Sequence, residues 1–252
     1  MNYPILEFDA TPEAMIEPSR ILQPLTHMPE HGVLCFFREV LDTVCKEAEV
    51  ISQLSSEIGK NLIYVLEMPE GKRLAVVHPG VGAPLSAAFL DEMIALGCKK
   101  FVAVGGAGVL DANLALGHAV IPTSAVRDEG TSYHYLPPSR EVSASESGIA
   151  ALVETLQSHQ IPYVTGKTWT TDAIYRETPA KIARRRDEGC ITVEMEASAF
   201  FAVAQFRGVE LAQLLYAGDD VSGDIWNTRD WHKQASLREK LFWLAAEAAL
   251  KM

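Results

Sequence analysis

The stretch Thr192-Val193-Glu194-Met195-Glu196-Ala197-Ser198-Ala199, followed by the apolar run Phe200-Phe201-Ala202-Val203-Ala204, decides the reading of this chain. Ile191 to Val193 has the character of the end of a buried strand. Ala197 to Phe206 has that of a buried helix with small residues on one face. Glu194 and Glu196 therefore stand where a strand hands over to a helix, which is where α/β proteins place ligand-binding groups. Carboxylates flanked by apolar elements are costly to bury without partners, and a ligand rich in hydroxyls would supply them. The plain alternative puts Glu194 at the surface and lets Glu196 serve the helix dipole as an early acidic residue.

The 252 residues are 48% hydrophobic and 22% charged. That balance suits one large domain, 1–252, with a sizeable core. No stretch is apolar for long enough to span a membrane. Met1 to Ala10 is acidic and lacks the basic-then-apolar order of a signal peptide, so the expected location is cytoplasmic. A net charge of −11 argues against a nucleic-acid partner, which needs a basic footprint. It leaves room for a small anion held by a few local arginines. Cys35, Cys45, Cys98 and Cys190 form no Cys-x-x-Cys pattern, so a zinc or redox motif is not expected and buried reduced thiols are.

Outward from the central stretch, residues 1–31 read as an irregular, proline-rich arm. Val40 to Ile58 reads as one amphipathic run. Asn61 to Met68 and Lys72 to His78 read as a hairpin turning at Pro69-Glu70-Gly71. Gly80-Val81-Gly82-Ala83-Pro84 leads into a helix from Leu85 to Leu96, ended by Gly97. Strand Phe101 to Val104 is followed by Gly105-Gly106-Ala107-Gly108, read as a loop that could offer N–H groups to an anion. Asn113 to Gly117 is a loop and His118 to Pro122 a short strand. Arg127 to Arg140, polar, aromatic and proline-rich, reads as a loop able to cover a ligand. A helix from Ser145 to His159 has Ser145 as N-cap, and Tyr163 to Thr168 is a strand. Arg184-Arg185-Arg186 reads as a solvated helix face. Leu211 to Tyr216 is a buried strand opening into Ala217-Gly218-Asp219-Asp220, where aspartates serve either turn chemistry or a site. Ser236 to Leu250 closes the chain as an amphipathic helix.

Val193-Glu194-Met195-Glu196-Ala197-Ser198-Ala199 resembles the ribose-binding signature of the nucleoside phosphorylase family, which includes uridine phosphorylase and the hexameric purine nucleoside phosphorylases. Gly80 to Pro84 and Phe101 to Gly108 resemble that family's core in the same order. The resemblance covers residues 61 to 250, and more weakly 16 to 40. It implies an α/β fold in one domain, phosphorylase/hydrolase-like, with a central mixed, partly barrel-like sheet flanked by helices. It also implies a homo-oligomer built from dimers, with a hexamer as one form, and no metal or organic cofactor.

The resemblance carries roles onto particular residues. Glu194, Met195 and Glu196 would bind ribose, with Glu196 catalytic and His134 a further sugar contact. Asp220 would be the catalytic proton donor and a base contact, with Asp219 as the alternative. Ile174, Tyr175 and Thr171 would flank the base. Arg20, Gly105, Gly106 and Ala107 would hold phosphate, joined by Arg38, which in the family reaches the phosphate of a neighbouring subunit. Two departures stand out. The usual phosphate arginine is replaced by Ala103, for which Arg127 or Arg140 could substitute. The uracil-reading Gln and Arg are replaced by Thr178 and Ala180. The implied reaction is phosphorolysis of the N-glycosidic bond of a (deoxy)ribonucleoside, with phosphate as co-substrate. The alternatives are hydrolysis by a nucleosidase, or nucleoside binding without catalysis.

Overall fold

The structure is a computed structural model and describes residues 3–252. Five strands close on themselves into a small mixed barrel. They are β5 (Lys100–Val109), β6 (Ala119–Asp128), β8 (Tyr163–Thr171), β9 (Cys190–Glu194) and β10 (Glu210–Asp220). Closure comes from β10 pairing parallel to β5 on one side and antiparallel to β6 on the other. β6–β8 and β8–β9 are parallel, and β9 returns antiparallel to β5. The sheet extends past β5 through β1 (His31–Cys35), β4 (Arg73–Val77), β3 (Gly59–Glu67) and β2 (Glu49–Ser56), while β7 (Glu141–Ser143) adds to β6.

Helices cover the sheet. α3 (Ala83–Leu96) and α6 (Ala197–Arg207) pack together over one apolar layer with Phe89, Met93, Phe101, Phe200 and Phe201. α4 (Glu146–Ser158) and α7 (Ala235–Ala249) cover another, with Leu152, Leu156, Leu214 and Phe242. α6 is buried from Ala197 to Ala204. This matches its lack of a polar stripe, because a helix apolar all round belongs inside. All four cysteines are free and buried.

The expected single α/β unit with a mixed, partly barrel-like sheet is what the chain forms. The hairpin is present as β3 and β4 around a 3-10 turn, Pro69–Gly71. The arm has a 3-10 turn at Pro4–Leu6 and one short helix, α1 (Pro18–Ile21); Met1 and Asn2 lie outside the described residues.

Four expectations are corrected. Val40 to Ile58 is not one run: α2 (Arg38–Val44) ends and β2 begins, because the β-branched and polar alternation after Glu49 finds a partner in β3. Gly105 to Gly108 is not a loop but part of β5, paired with β10 and, at Gly108, with β9. A Cβ at Gly106 would stand 2.9 Å from the Tyr216 ring, so the close approach of β10 is what requires glycine there. Ser145 precedes α4 but makes no side-chain cap; its Oγ accepts the Leu211 N–H instead, at 2.7 Å. Arg184 to Arg186, in α5 (Pro179–Asp187), is not a uniformly solvated face. Arg185 is buried between Asp128, at 2.8 Å, and Glu188, at 2.9 Å.

Candidate active site

β9 ends at Glu194 and α6 begins at Ala197, so the two glutamates occupy the hinge between a buried strand and a buried helix. Their side chains part. Glu194 turns to the helix start: its Oε2 accepts the N–H groups of Glu196 and Ala197, at 2.7 and 2.6 Å, and its Oε1 accepts the Thr170 hydroxyl at 2.6 Å. It thus supplies the acceptors that the first helical turn lacks. Glu196 goes the other way. Its Oε1 accepts the Gly82 N–H at 2.6 Å, across from the loop before α3. Both carboxyls are buried. Burial pushes both above the ordinary carboxylate range, and the neighbouring Glu194 charge adds to the rise at Glu196. Three donors to Glu194 make it the better-solvated anion of the two.

A cavity of about 420 Å³ opens beside this hinge, lined by Glu194, Met195 and Glu196. That is the size of a small-ligand pocket. Gly105, Gly106 and Ala107 of β5 form one wall. Phe37, Arg38 and Glu39, at the start of α2, form another. β10 contributes Gln213, Tyr216 and Asp219, and Ile174 and Glu177 close a further side. Arg238 of α7 reaches in from behind, with Nη1 on Glu39 at 2.6 Å and its guanidinium 5.2 Å from the Phe37 ring centre. Among the described residues no His/Cys/Asp/Glu group is arranged to hold a metal ion. Among them too, no helix is long and apolar enough to cross a membrane.

The expected site residues divide. Glu194, Met195, Glu196, Arg38, Gly105, Gly106, Ala107 and Ile174 all line this cavity. Arg38 lines the cavity of its own chain, with Nη2 on Asn61 Oδ1 at 3.0 Å. The other expected residues lie elsewhere. Asp220 is not on the lining. Its carboxylate is paired with Arg229 and accepts the Ser222 N–H, and these partners hold it below the usual aspartate range despite partial burial. An aspartate so held does not carry the proton that a donor needs. Asp219, one residue earlier, is the aspartate on the lining, and its Oδ2 accepts the Trp226 indole N–H at 2.7 Å.

Arg20 is exposed and paired with Glu13 at 2.5 Å. Thr171 is buried and bonds the Ala173 N–H, and Tyr175 is 95% exposed. His134 lines a separate, larger cleft of about 950 Å³ beneath the N-terminal arm. That cleft lacks the convergent Glu194–Glu196 hinge and the glycine wall. The 127–140 segment does not supply arginines to the cavity. Arg127 is buried and bonds Ser132, Leu136, Pro137 and Ser139 of its own segment, while Arg140 pairs with Glu188.

Three cavity residues were not legible beforehand. Glu177, Gln213 and Arg238 come from separate elements and no local motif marks them. Glu177 is half-buried, engaged by no hydrogen bond or ion pair among the described residues. Its carboxyl is pushed up to about 7 by burial and by the charge of Asp219.

A mixed barrel extended by a further sheet, with a buried carboxylate at a strand-to-helix junction beside a glycine-lined wall, forms an α/β fold with a small-ligand cavity at its strand ends. Comparison with known proteins agrees. The phosphorylase superfamily pattern matches residues 30–246, and the chain belongs to that family. Guanosine phosphorylase of Halorubrum lacusprofundi is 25% identical over 187 residues, which is 72% of this chain and 76% of that protein. The DeoD-type purine nucleoside phosphorylase of Colwellia psychrerythraea is 25% identical over 186 residues, again 72% and 76%. Uridine phosphorylase from Vibrio fischeri ES114 shares the fold at a TM-score of 0.76. That match has 19% identity and covers 95% of this chain and 100% of that one.

Proposed function

We propose that this cavity cleaves the N-glycosidic bond of a (deoxy)ribonucleoside with inorganic phosphate, giving the free base and pentose 1-phosphate. The chain is thus a nucleoside phosphorylase, a pentosyltransferase with phosphate as co-substrate and no cofactor. The observation that carries this reading is Glu196: a buried carboxylate, held by Gly82 at one oxygen and facing the glycine wall, in a chain of the phosphorylase superfamily.

The chemistry follows from the charges. Breaking the bond to the sugar builds positive charge on the ring, and a preorganised carboxylate beside it lowers the barrier. Glu196 takes the sugar hydroxyls and favours that charge, with Met195 against the sugar face. Glu194 holds the start of α6 and so holds Glu196 in place. Arg38 supplies positive charge toward phosphate. The base leaves with an electron pair and needs a proton. Asp219 and Glu177 face the same space, and the raised Glu177 carboxyl retains a proton near neutrality. A leaving group that accepts a proton, as a purine does at its five-membered ring, suits this pair. The protein acts as a homo-oligomer built from dimers. Exposed apolar side chains around the cavity mouth and on the outer sheet, among them Val81, Ile58 and Tyr175, support an interface there.

The test is a nucleoside panel assayed with and without phosphate. Pentose 1-phosphate is expected, and Glu196→Gln should lower turnover by about 10²–10³ with the fold retained. Free pentose released at the same rate in both conditions, or near-normal turnover by folded Glu196→Gln, would overturn the reading.

A further inference from the structure

β10 ends at Asp220, and the chain then turns out and back before α7. The ends of that turn are fixed. Asp220 and Asn227 exchange backbone hydrogen bonds at 2.8 and 3.0 Å. Arg229 pairs with Asp220 and donates to the Leu114 carbonyl, and Arg186 of α5 donates to the Ser222 carbonyl. The tip, 223–226, is not held in this way. Among the described residues its one hydrogen bond is that of the Trp226 indole, whose Nε1–H donates to Asp219 Oδ2 at 2.7 Å. Trp226 is otherwise turned to solvent, 61% exposed, beside Ile225 at 84%. A large aromatic side chain buries about 150–250 Å² when it finds a surface. Trp226 is tethered by its N–H to a cavity carboxylate and lacks such a surface.

The cavity lacks the matching ring. Asp219 and Glu177 lie close enough for the charge of one to act on the other, and Ile174 lines the same side. The base leaves there in the reading above. The aromatic rings on the lining are committed elsewhere. Phe36 packs on Phe200 and His78, while Phe37, Tyr216 and Trp231 surround the Arg238 guanidinium. Tyr175 is exposed and off the lining, which leaves Ile174 as the apolar side chain beside Glu177. A flat heteroaromatic base has a face to cover, and an aromatic ring covers it well. The base also brings N–H groups of its own, in ring or amino positions.

We propose that Trp226 is a base-contacting residue: its indole ring stacks on the leaving base, and an N–H of the base takes over the Asp219 oxygen to which the indole N–H donates here. This rests on the reading above, in which the cavity releases a base, and deepens it. The exchange is close to even in hydrogen bonds, since one N–H replaces another on the same carboxylate and the indole N–H returns to water. The gain is the apolar area that indole and base remove from water together. It requires a rotation of the Trp226 side chain and an adjustment of the tip, while the Asp220–Asn227 pair and Arg229 stay in place.

Two measurements test it. In the unaltered protein, exposed tryptophans are labelled with a nitrobenzyl bromide and mapped by peptide mass spectrometry, with adenine, guanine, hypoxanthine or uracil added. The base that inhibits nucleoside cleavage should protect Trp226 several-fold and leave Trp243 of α7, 42% exposed, unchanged. In variants, Trp226→Ala should raise the KM for the nucleoside about tenfold with the KM for phosphate unchanged. Trp226→Phe keeps a ring without the N–H and should recover most of that loss. A residue that served only to hold Asp219 through its N–H would make the Phe variant as poor as the Ala one. Labelling of Trp226 unaffected by the inhibiting base overturns the assignment, whether or not the variants fold. So does a folded Trp226→Ala protein with unchanged KM for the nucleoside, or Trp226→Phe as impaired as Trp226→Ala, and in each case phosphorolysis itself still stands. Free pentose released at a rate independent of phosphate overturns the phosphorylase reading alone, because protection by the free base does not depend on the acceptor.

Discussion

At the scale of single residues, the site turns on two glutamates separated by one methionine whose carboxylates serve different ends. Glu194 is satisfied by the protein, with three hydrogen bonds, whereas the Glu196 carboxyl accepts the Gly82 N–H from across the cavity. The same logic separates Asp219 from Asp220, since Arg229 claims the second and leaves the first on the cavity. Glu177 gives a pH prediction. Its carboxyl is raised to about 7, so at lower pH it carries the proton a leaving base needs, and it loses that proton as pH rises. On a purine nucleoside, the Glu177 contribution to kcat/KM should therefore be lost above about pH 7, against the opposite trend from Glu196, whose raised carboxyl ionises as pH rises. Glu177→Gln, which cannot transfer a proton, should lower the plateau and flatten that alkaline limb. A limb unchanged in the variant would assign the proton to another group.

The element that matters most is the junction of β9 with α6. The strand is held between β8 and β5, and the helix is buried along most of its length. Between them the Glu194 carboxylate substitutes for a conventional cap, and Ser198 extends the network by donating to Glu129 at 2.9 Å. Glu129 in turn accepts the Ser132 N–H, which ties the 127–140 segment to the same helix start. Glu194→Ala removes these acceptors and leaves the Glu196 and Ala197 N–H groups buried and unpaired. A loss of about 2 kcal/mol in unfolding free energy is expected, read from denaturant melts. Unchanged stability would mean that the helix start is held by other contacts. The segment after β10 is braced in a comparable way, with Asp220 paired to Arg229 and bridged to Asn227 through the backbone.

At the scale of the whole molecule, barrel closure brings residues from opposite ends of the chain to one cavity. Arg238 of the last helix meets Glu39 of the first turn of α2, 199 residues away. The N-terminal arm covers a different cleft, and apolar side chains remain exposed: Ile58 at 86%, Val81 at 63% and Tyr175 at 95%. Assembly through this surface predicts a dimer or a multiple of it in sedimentation at micromolar concentration. Charged substitutions at Val81 and Ile58 should push it toward monomer. A monomer of the unaltered chain under those conditions would exclude the proposed assembly.

Local patterning alone determined much of this protein. Period and composition marked the strand and helix on either side of Glu194-Met195-Glu196, the β3–β4 hairpin, α3 with its glycine stop, and the closing helix. These signals were readable because each depends on neighbours within one or two turns. Pairing and direction were not readable. Nothing local showed that Gly105 to Gly108 continues a strand, because the reason is the Tyr216 ring on another strand. Nothing local showed that Asp220 would be paired and Asp219 left on the cavity lining, since an arginine nine residues further on takes the first. Glu177, Gln213 and Arg238 join the cavity only when the barrel closes, for a carboxylate, a carboxamide and a guanidinium look alike in sequence whether solvated or buried. Burial and partners, which only the tertiary structure sets, decide which of them is left with hydrogen bonds to offer a ligand.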